Sequence, residues 1–352
     1  MKRSVDDANT LFRLLNRRIA DTSTQLQKAD TVSVGCTRKR VVWTDDKTVL
    51  YRYFPLPFVQ PSPARPILIS FALVNRPYVL DLQPDRSLVR QLLGAGMDIY
   101  LIDWGNPDDA DCGVGLEDYI ERYLGGCVRH ILDTHDTDAL NLLGVCQGGT
   151  FSLCYCALHP QHIANLVTMV TPVDFHSPDD LLSKWVRELD VGLIAHAGNV
   201  PGVLLNSLFL ALAPLRLMQH KYVSLLGRGT RRRDIETFVR MEKWISDNPD
   251  QAAAALSQFV KWFYQENRLI HGTLEIAGRR VDLRQIQQPV LNIYAARDHI
   301  VPASAAAALQ RYIGSSDYAA HSVDTGHIGM YVSHRARGTA TARIISWLQQ
   351  RS

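Results

Sequence analysis

The sequence predicts an α/β fold: a mostly parallel central sheet flanked by helices, with a mainly helical insertion. Three observations lead there. Short apolar runs bounded by turn residues alternate with helical patterns, the runs are continuously apolar, and one long stretch in the middle breaks the alternation. Strands buried on both faces read as continuous apolar runs, which favours a parallel sheet covered by helices on each side.

The expected strands are ILISFALV (67–74), DIYLIDW (98–104), LNLLGV (140–145), NLVTMVTPV (165–173) and VLNIYAA (290–296). Between them, Ser87–Leu93, Leu116–Leu132 and Thr150–Leu158 have helical periodicity. Ahead of the first run, Val41–Tyr53 reads as a hairpin turning at Asp45-Asp46-Lys47, and the five prolines between Pro55 and Pro66 make a loop. Residues 1–40 form an amphipathic, helix-patterned N-terminal segment. The α/β core is expected over 41–175 and 288–352. Residues 176–287, with LLSKWVRELD, TFVRMEKWI and AAAALSQFVKWFYQ, are expected to be an inserted cap over the sheet.

Composition excludes several functions. Of 352 residues, 46% are hydrophobic and 21% charged, and 38 basic side chains nearly balance 35 acidic ones, so no nucleic-acid partner is expected. The run Arg231-Arg232-Arg233 reads as a solvated helix start. Six cysteines in a chain this long do not make a disulfide framework, and the N-terminus lacks the apolar core of a secretory signal, so a reducing, cytoplasmic setting is expected. Val200–Leu215, the most apolar stretch, carries Pro201, Asn206 and Pro214 and is shorter than the ~20 residues needed to span a bilayer. It reads as a buried or surface-docking helix rather than a transmembrane segment.

The sharpest chemical signal is LNLLGVCQGGT (140–150), an apolar strand running through G-x-C-x-G-G into a helix. A nucleophile elbow has this context: the nucleophile sits in a strained turn, and the flanking Gly144 and Gly148 allow close backbone approach. The following helix directs N–H groups and a positive partial charge towards the Cys146 sulfur, which favours the reactive thiolate. Further along, Asp298 follows an apolar run and His327 lies in Asp324-Thr325-Gly326-His327-Ile328-Gly329. Nucleophile, acid and histidine in that chain order is the arrangement of α/β-hydrolases, with His327 as base and Asp298 holding its tautomer. His299 is adjacent to the acid, and side chains of neighbouring residues on an extended segment point apart, so it is a poor candidate for the base. The tetrahedral oxyanion needs donors; the backbone N–H groups of Gln147 and of Val74, in the loop after an early strand, are expected to supply them. No metal site is expected.

From about Asp46 to the C-terminus, DKTVLYRY (46–53), ALVNRPYVLDLQPDRSLVRQLL (72–93), DIYLIDWGNPD (98–108), LEDYI (116–120), NLLGVCQGG (141–149), NLVTMVTPVDF (165–175), RMEKWISDNPDQA (240–252), PVLNIYAARDHIVP (289–302) and GHIGMYVS (326–333) occur in order. In these segments the chain resembles the catalytic subunit of the class III, two-subunit polyhydroxyalkanoate synthases. The resemblance implies an α/β-hydrolase core with the catalytic cysteine, aspartate and histidine at Cys146, Asp298 and His327. It implies polymerisation of (R)-3-hydroxyacyl groups from coenzyme A thioesters onto a growing polyester chain, with coenzyme A as part of the substrate and no separate cofactor. It also implies a second, non-catalytic synthase subunit, a place at the surface of polyester granules, and room for a homo-oligomer. The residues agree with such chemistry: a cysteine exchanges one thioester for another and leaves an acyl-enzyme still activated towards an alcohol. A cysteine-type thioesterase or lactone hydrolase would share the same triad, and a granule scaffold would use Val200–Leu215 as its docking face.

Overall fold

A computed structural model describes residues 32–193, 198–212 and 232–351. Of the helical N-terminal segment expected over 1–40, residues 1–31 lie outside the described set, while residues 32–38 form no helix and Lys39 opens a strand. Eight strands form one sheet: β1 (Lys39–Asp45), β2 (Thr48–Tyr53), β3 (Ile67–Ser70), β4 (Ile99–Asp103), β5 (Leu140–Val145), β6 (Ile163–Met169), β7 (Val290–Ala295) and β8 (Tyr318–Val323). Their spatial order is β1-β2-β4-β3-β5-β6-β7-β8. The hairpin β1–β2 pairs antiparallel, β2 pairs antiparallel with β4, and all other neighbours run parallel.

The expected hairpin turns at Asp45–Thr48, with Asp46 at φ 48°. The run 67–74 yields a strand only to Ser70; Phe71, Ala72 and Leu73 stay buried in the loop that follows, so their apolar character reflects burial rather than pairing. The helix after β5, labelled α3 below, starts at Gln147, three residues earlier than its periodicity suggests. Gly148 and Gly149 are weak helix formers, but a Cβ at Gly148 would collide with the carbonyl oxygens of Ser70 and Phe71. Tertiary contact therefore overrides propensity.

Helices α1 (Leu88–Gly94), α2 (Gly125–His135) and α3 (Gln147–Leu158) cover the sheet. Ser87 caps α1 by accepting from the Arg90 N–H at 2.9 Å. From Gln147 to Ala157 every residue of α3 is buried, which is why its pattern shows no polar face. Among the described residues, the sheet gains no strand between Met169 and Val290. That interval holds α4 (Leu181–Val186), α5 (Gly202–Leu212), α6 (Arg232–Ser246), α7 (Ala253–Phe259) and a short hairpin at 275–280.

By contacts the chain divides into two compact units, one of residues 35–202 and 249–352, the other of 1–34 and 203–248. The first contains the whole sheet. In the second, α6 buries Ile235 and Trp244 while Arg233 is exposed, as a solvated helix start requires.

We expect Gly148→Ala to destabilise the fold by about 1–3 kcal/mol through overpacking. The measurement is the urea midpoint of the variant against wild type, and an unchanged midpoint would show that the turn can relax around the methyl group.

Candidate active site

The carboxyl ends of the parallel strands lie side by side: Val145 pairs with Met169, Met169 with Ile293, and Ala295 with Val323. Residues that leave these ends converge at one edge of the sheet, where open α/β folds bind their ligands. Cys146 leaves β5, Asp298 follows β7, and His327 follows β8.

Cys146 has φ 54° and ψ −127°, a conformation that L-residues rarely adopt. Such strain amounts to roughly 1–3 kcal/mol and persists only where surrounding structure enforces it. Here the Cys146 N–H donates to the Met169 carbonyl at 2.9 Å, and the Gly149 N–H donates back to the Cys146 carbonyl at 2.9 Å. A Cβ at Gly144 would run into Gly149 and Ser152, so both flanking glycines are required by close approach. The sulfur-bearing side chain is half-buried and packs with Ile300 against Val301, Ala305 and Ala306, residues that follow the acid.

Asp298 and His327 meet as the sequence implies. The His327 Nδ1–H donates to Asp298 Oδ2 at 2.8 Å, and the Asp298 side chain is fully buried. The other carboxylate oxygen, Oδ1, accepts from the N–H groups of Ile300 and Val301, each at 2.9 Å. With both oxygens engaged, the carboxylate has one orientation. Burial alone would lower the basicity of the His327 imidazole. The Asp298 carboxylate and the Cys146 sulfur, both close enough to bond to it, overcome burial and raise its pKa well above the ordinary histidine value. His327 is thereby held in its imidazolium form more firmly than a free histidine.

The loop after β3 lies against the elbow. Gln147 Oε1 accepts from the Leu73 N–H at 3.0 Å, and the Phe71 carbonyl accepts from Trp104 Nε1–H at 2.8 Å. Among the described residues the backbone N–H groups of Gln147 and Val74 have no acceptor. Also among them, no cluster of three His, Cys, Asp or Glu could hold a metal ion, and no helix is long and apolar enough to cross a membrane.

Two further residues belong to this surrounding. Tyr331 places its hydroxyl 3.2 Å from His327 Nε2. Its only signal in the sequence is the i, i+4 spacing from His327. Asp180 caps α4, accepting from the Ser183 N–H at 2.7 Å. Burial raises the Asp180 carboxyl to about 6, with the Asp298 charge adding to it and the Ser183 N–H, Arg187 and Lys184 opposing. A carboxyl raised above its unfolded value binds more protons when folded, so its contribution to stability falls as pH rises from about 4 to 6. Asp180→Asn retains an acceptor for the cap and is expected to be more stable than wild type at pH 8, with the difference closing at pH 4. Urea midpoints at the two pH values test this; a constant difference would mean that Asp180 does not titrate in that window.

Comparison with known proteins agrees with this geometry. A family model described as alpha/beta hydrolase fold matches residues 77–333. The chain is 47% identical over 93% of its length to a poly(3-hydroxyalkanoate) polymerase subunit PhaC of Thiocystis violacea, covering 92% of that protein. The chain belongs to that family. A polymerase subunit of the same name from Allochromatium vinosum is 46% identical, with 96% of this chain and 95% of the other covered. Among solved structures, an esterase from Thermogutta terrifontis superposes with a TM-score of 0.53 at 15% identity, over 89% of this chain and 99% of that one. At that identity the likeness concerns the fold alone.

Proposed function

We propose that the chain is the catalytic subunit of a polyhydroxyalkanoate polymerase, joining (R)-3-hydroxyacyl groups from coenzyme A thioesters through a thioester on Cys146. The observation that carries this reading is the kinship to polymerase subunits along nearly the whole chain. The Cys146–His327–Asp298 arrangement supports it. In the first step the Cys146 thiolate attacks the thioester carbonyl, and the coenzyme A sulfur leaves and takes up the proton held by His327. In the second, His327 Nε2 removes the proton of a 3-hydroxyl group as its oxygen attacks the acyl-cysteine, and the sulfur departs as thiolate. Asp298 keeps the Nδ1–H tautomer throughout. The N–H groups of Gln147 and Val74 would receive the oxyanion of each tetrahedral intermediate.

Under this reading water must be kept from the acyl-enzyme, and the insertion 176–287 would serve as the cap that excludes it. A second, non-catalytic subunit, a homo-oligomeric state and a place at the granule surface in the cytoplasm complete the proposal. Coenzyme A enters only as part of the substrate. The test is incubation of the purified chain with 3-hydroxybutyryl-CoA, alone and with a cognate small subunit. Insoluble polymer, faster with the partner, is the expected product. Free 3-hydroxybutyrate would make the chain a thioesterase, and no reaction at all would make it a scaffold.

A further inference from the structure

With Nδ1 committed to Asp298, the His327 imidazole has one nitrogen left, and two groups contend for it. The Tyr331 hydroxyl stands 3.2 Å from Nε2, and the Cys146 sulfur is within hydrogen-bonding reach of the same ring. Tyr331 is 1% exposed and sits in the short helix α8 (Gly329–Val332), one turn beyond His327. That turn is closed by the Met330 N–H donating to the His327 carbonyl at 3.1 Å and the Tyr331 N–H donating to that of Ile328 at 3.1 Å. The Tyr331 ring is fixed edge-on to Phe71 at 6.1 Å and to His327 at 5.7 Å between centroids. Burial, reinforced by the Cys146 and Asp298 charges, holds the phenol well above its ordinary pKa, so it stays an O–H. Among the described residues the hydroxyl bonds only to His327.

Building on the proposed mechanism, we propose that Tyr331 is a positioning residue for the second half-reaction: its hydroxyl holds His327 Nε2 while Cys146 is acylated. Before acylation, the attraction between thiolate and imidazolium orients the ring without help. An acylated sulfur has neither charge nor proton, and that restraint vanishes. The Tyr331 O–H then donates to the Nε2 lone pair, which keeps the proton on Nδ1 and the ring in its plane. When the acceptor hydroxyl arrives, it takes over the lone pair and the phenolic O–H rotates away about its C–O bond. Once the proton has moved to Nε2, the same oxygen can accept from Nε2–H, so Tyr331 serves both charge states of the base. No bond to Tyr331 forms or breaks.

The experiment compares wild type with Tyr331→Phe and with 3-fluorotyrosine at position 331, each as the full chain with its partner subunit, using 3-hydroxybutyryl-CoA. Rapid-quench measurement separates the first equivalent of coenzyme A, which reports acylation, from the steady state, which reports acyl transfer. Tyr331→Phe is expected to keep the burst within about threefold while steady-state turnover falls about tenfold and KM falls with it, leaving kcat/KM, which reports acylation, nearly unchanged. Fluorotyrosine keeps the ring's shape and makes the O–H a stronger donor, so it should alter the steady state and leave the burst alone. Equal loss of both phases in Tyr331→Phe, or wild-type rates with both replacements, would overturn the proposal. Should wild type yield free acid instead of polymer, the polymerase reading fails, yet the same split between burst and hydrolysis still decides the role of Tyr331. A wild type that releases no coenzyme A overturns both.

Discussion

Cys146→Ala is expected to abolish release of coenzyme A and covalent capture of the acyl group, a loss on the order of 10⁴-fold or more, while the protein stays folded. The magnitude follows from removing the nucleophile of a group that acts as a unit, where little remains beyond binding and oxyanion stabilisation. The fold should survive because Cys146 is half-buried and contributes one sulfur to a small contact with Ile300 and Val301. A change within about 1 kcal/mol is expected. The strained backbone at φ 54° is unaffected by the exchange, since alanine carries the same Cβ. Cys154 and Cys156 are fully buried on α3, and burial pushes both thiols far above their ordinary range, which makes them inert. Substantial turnover by a folded Cys146→Ala chain would remove the covalent mechanism.

His327→Gln is expected to lose at least the ~10²-fold typical of a general base, whereas His299→Gln should keep measurable polymerisation. His327 Nδ1 meets Asp298 Oδ2 at 2.8 Å, and the Cys146 sulfur acts electrostatically on the same imidazole. Asp298 is oriented towards His327, because Oδ1 accepts from the N–H groups of Ile300 and Val301 and Oδ2 from His327 Nδ1–H. Impairment in His299→Gln would therefore come through the loop that carries the acid. Steady-state coenzyme A release by both variants, with circular dichroism as the check on folding, measures the difference. An active His327→Gln beside a dead but folded His299→Gln would refute the assignment.

Why so much of this site was legible lies in its local constraints. Gly144 and Gly148 appear in the sequence because backbone must pass there, and Asp298 and His327 appear just after strands because the carboxyl edge of a parallel sheet is where side chains can converge. All five apolar runs became strands, two of them, 67–74 and 165–173, stopping four residues early, since burial on both faces keeps the runs mainly apolar, with Asn141, Asn165, Thr168 and Asn292 as buried exceptions. What escaped notice depends on contacts distant in sequence. Phe71–Leu73 looked like strand because a buried loop has the same composition. Tyr331 and Asp180 looked ordinary because what marks them is proximity to Cys146 and Asp298, which no spacing rule encodes. β8 carries no clear strand signal in the sequence, because Tyr318, Ala319, Ala320, His321 and Ser322 are partly or fully exposed and have the mixed composition of a surface segment.

That edge position has a consequence for how the enzyme would fail. β5, which leads into Cys146, is buried at every residue and bonded on both sides, whereas β8, which leads towards His327, has one neighbour in the sheet among the described residues. Local opening events start where fewest contacts must break, so amide protons of Tyr318–Val323 should exchange with solvent well ahead of those in Leu140–Val145. Each such excursion withdraws His327 from a sulfur that has not moved. Mild heating or denaturant would then silence the protein by briefly separating its two working halves, long before the sheet itself comes apart.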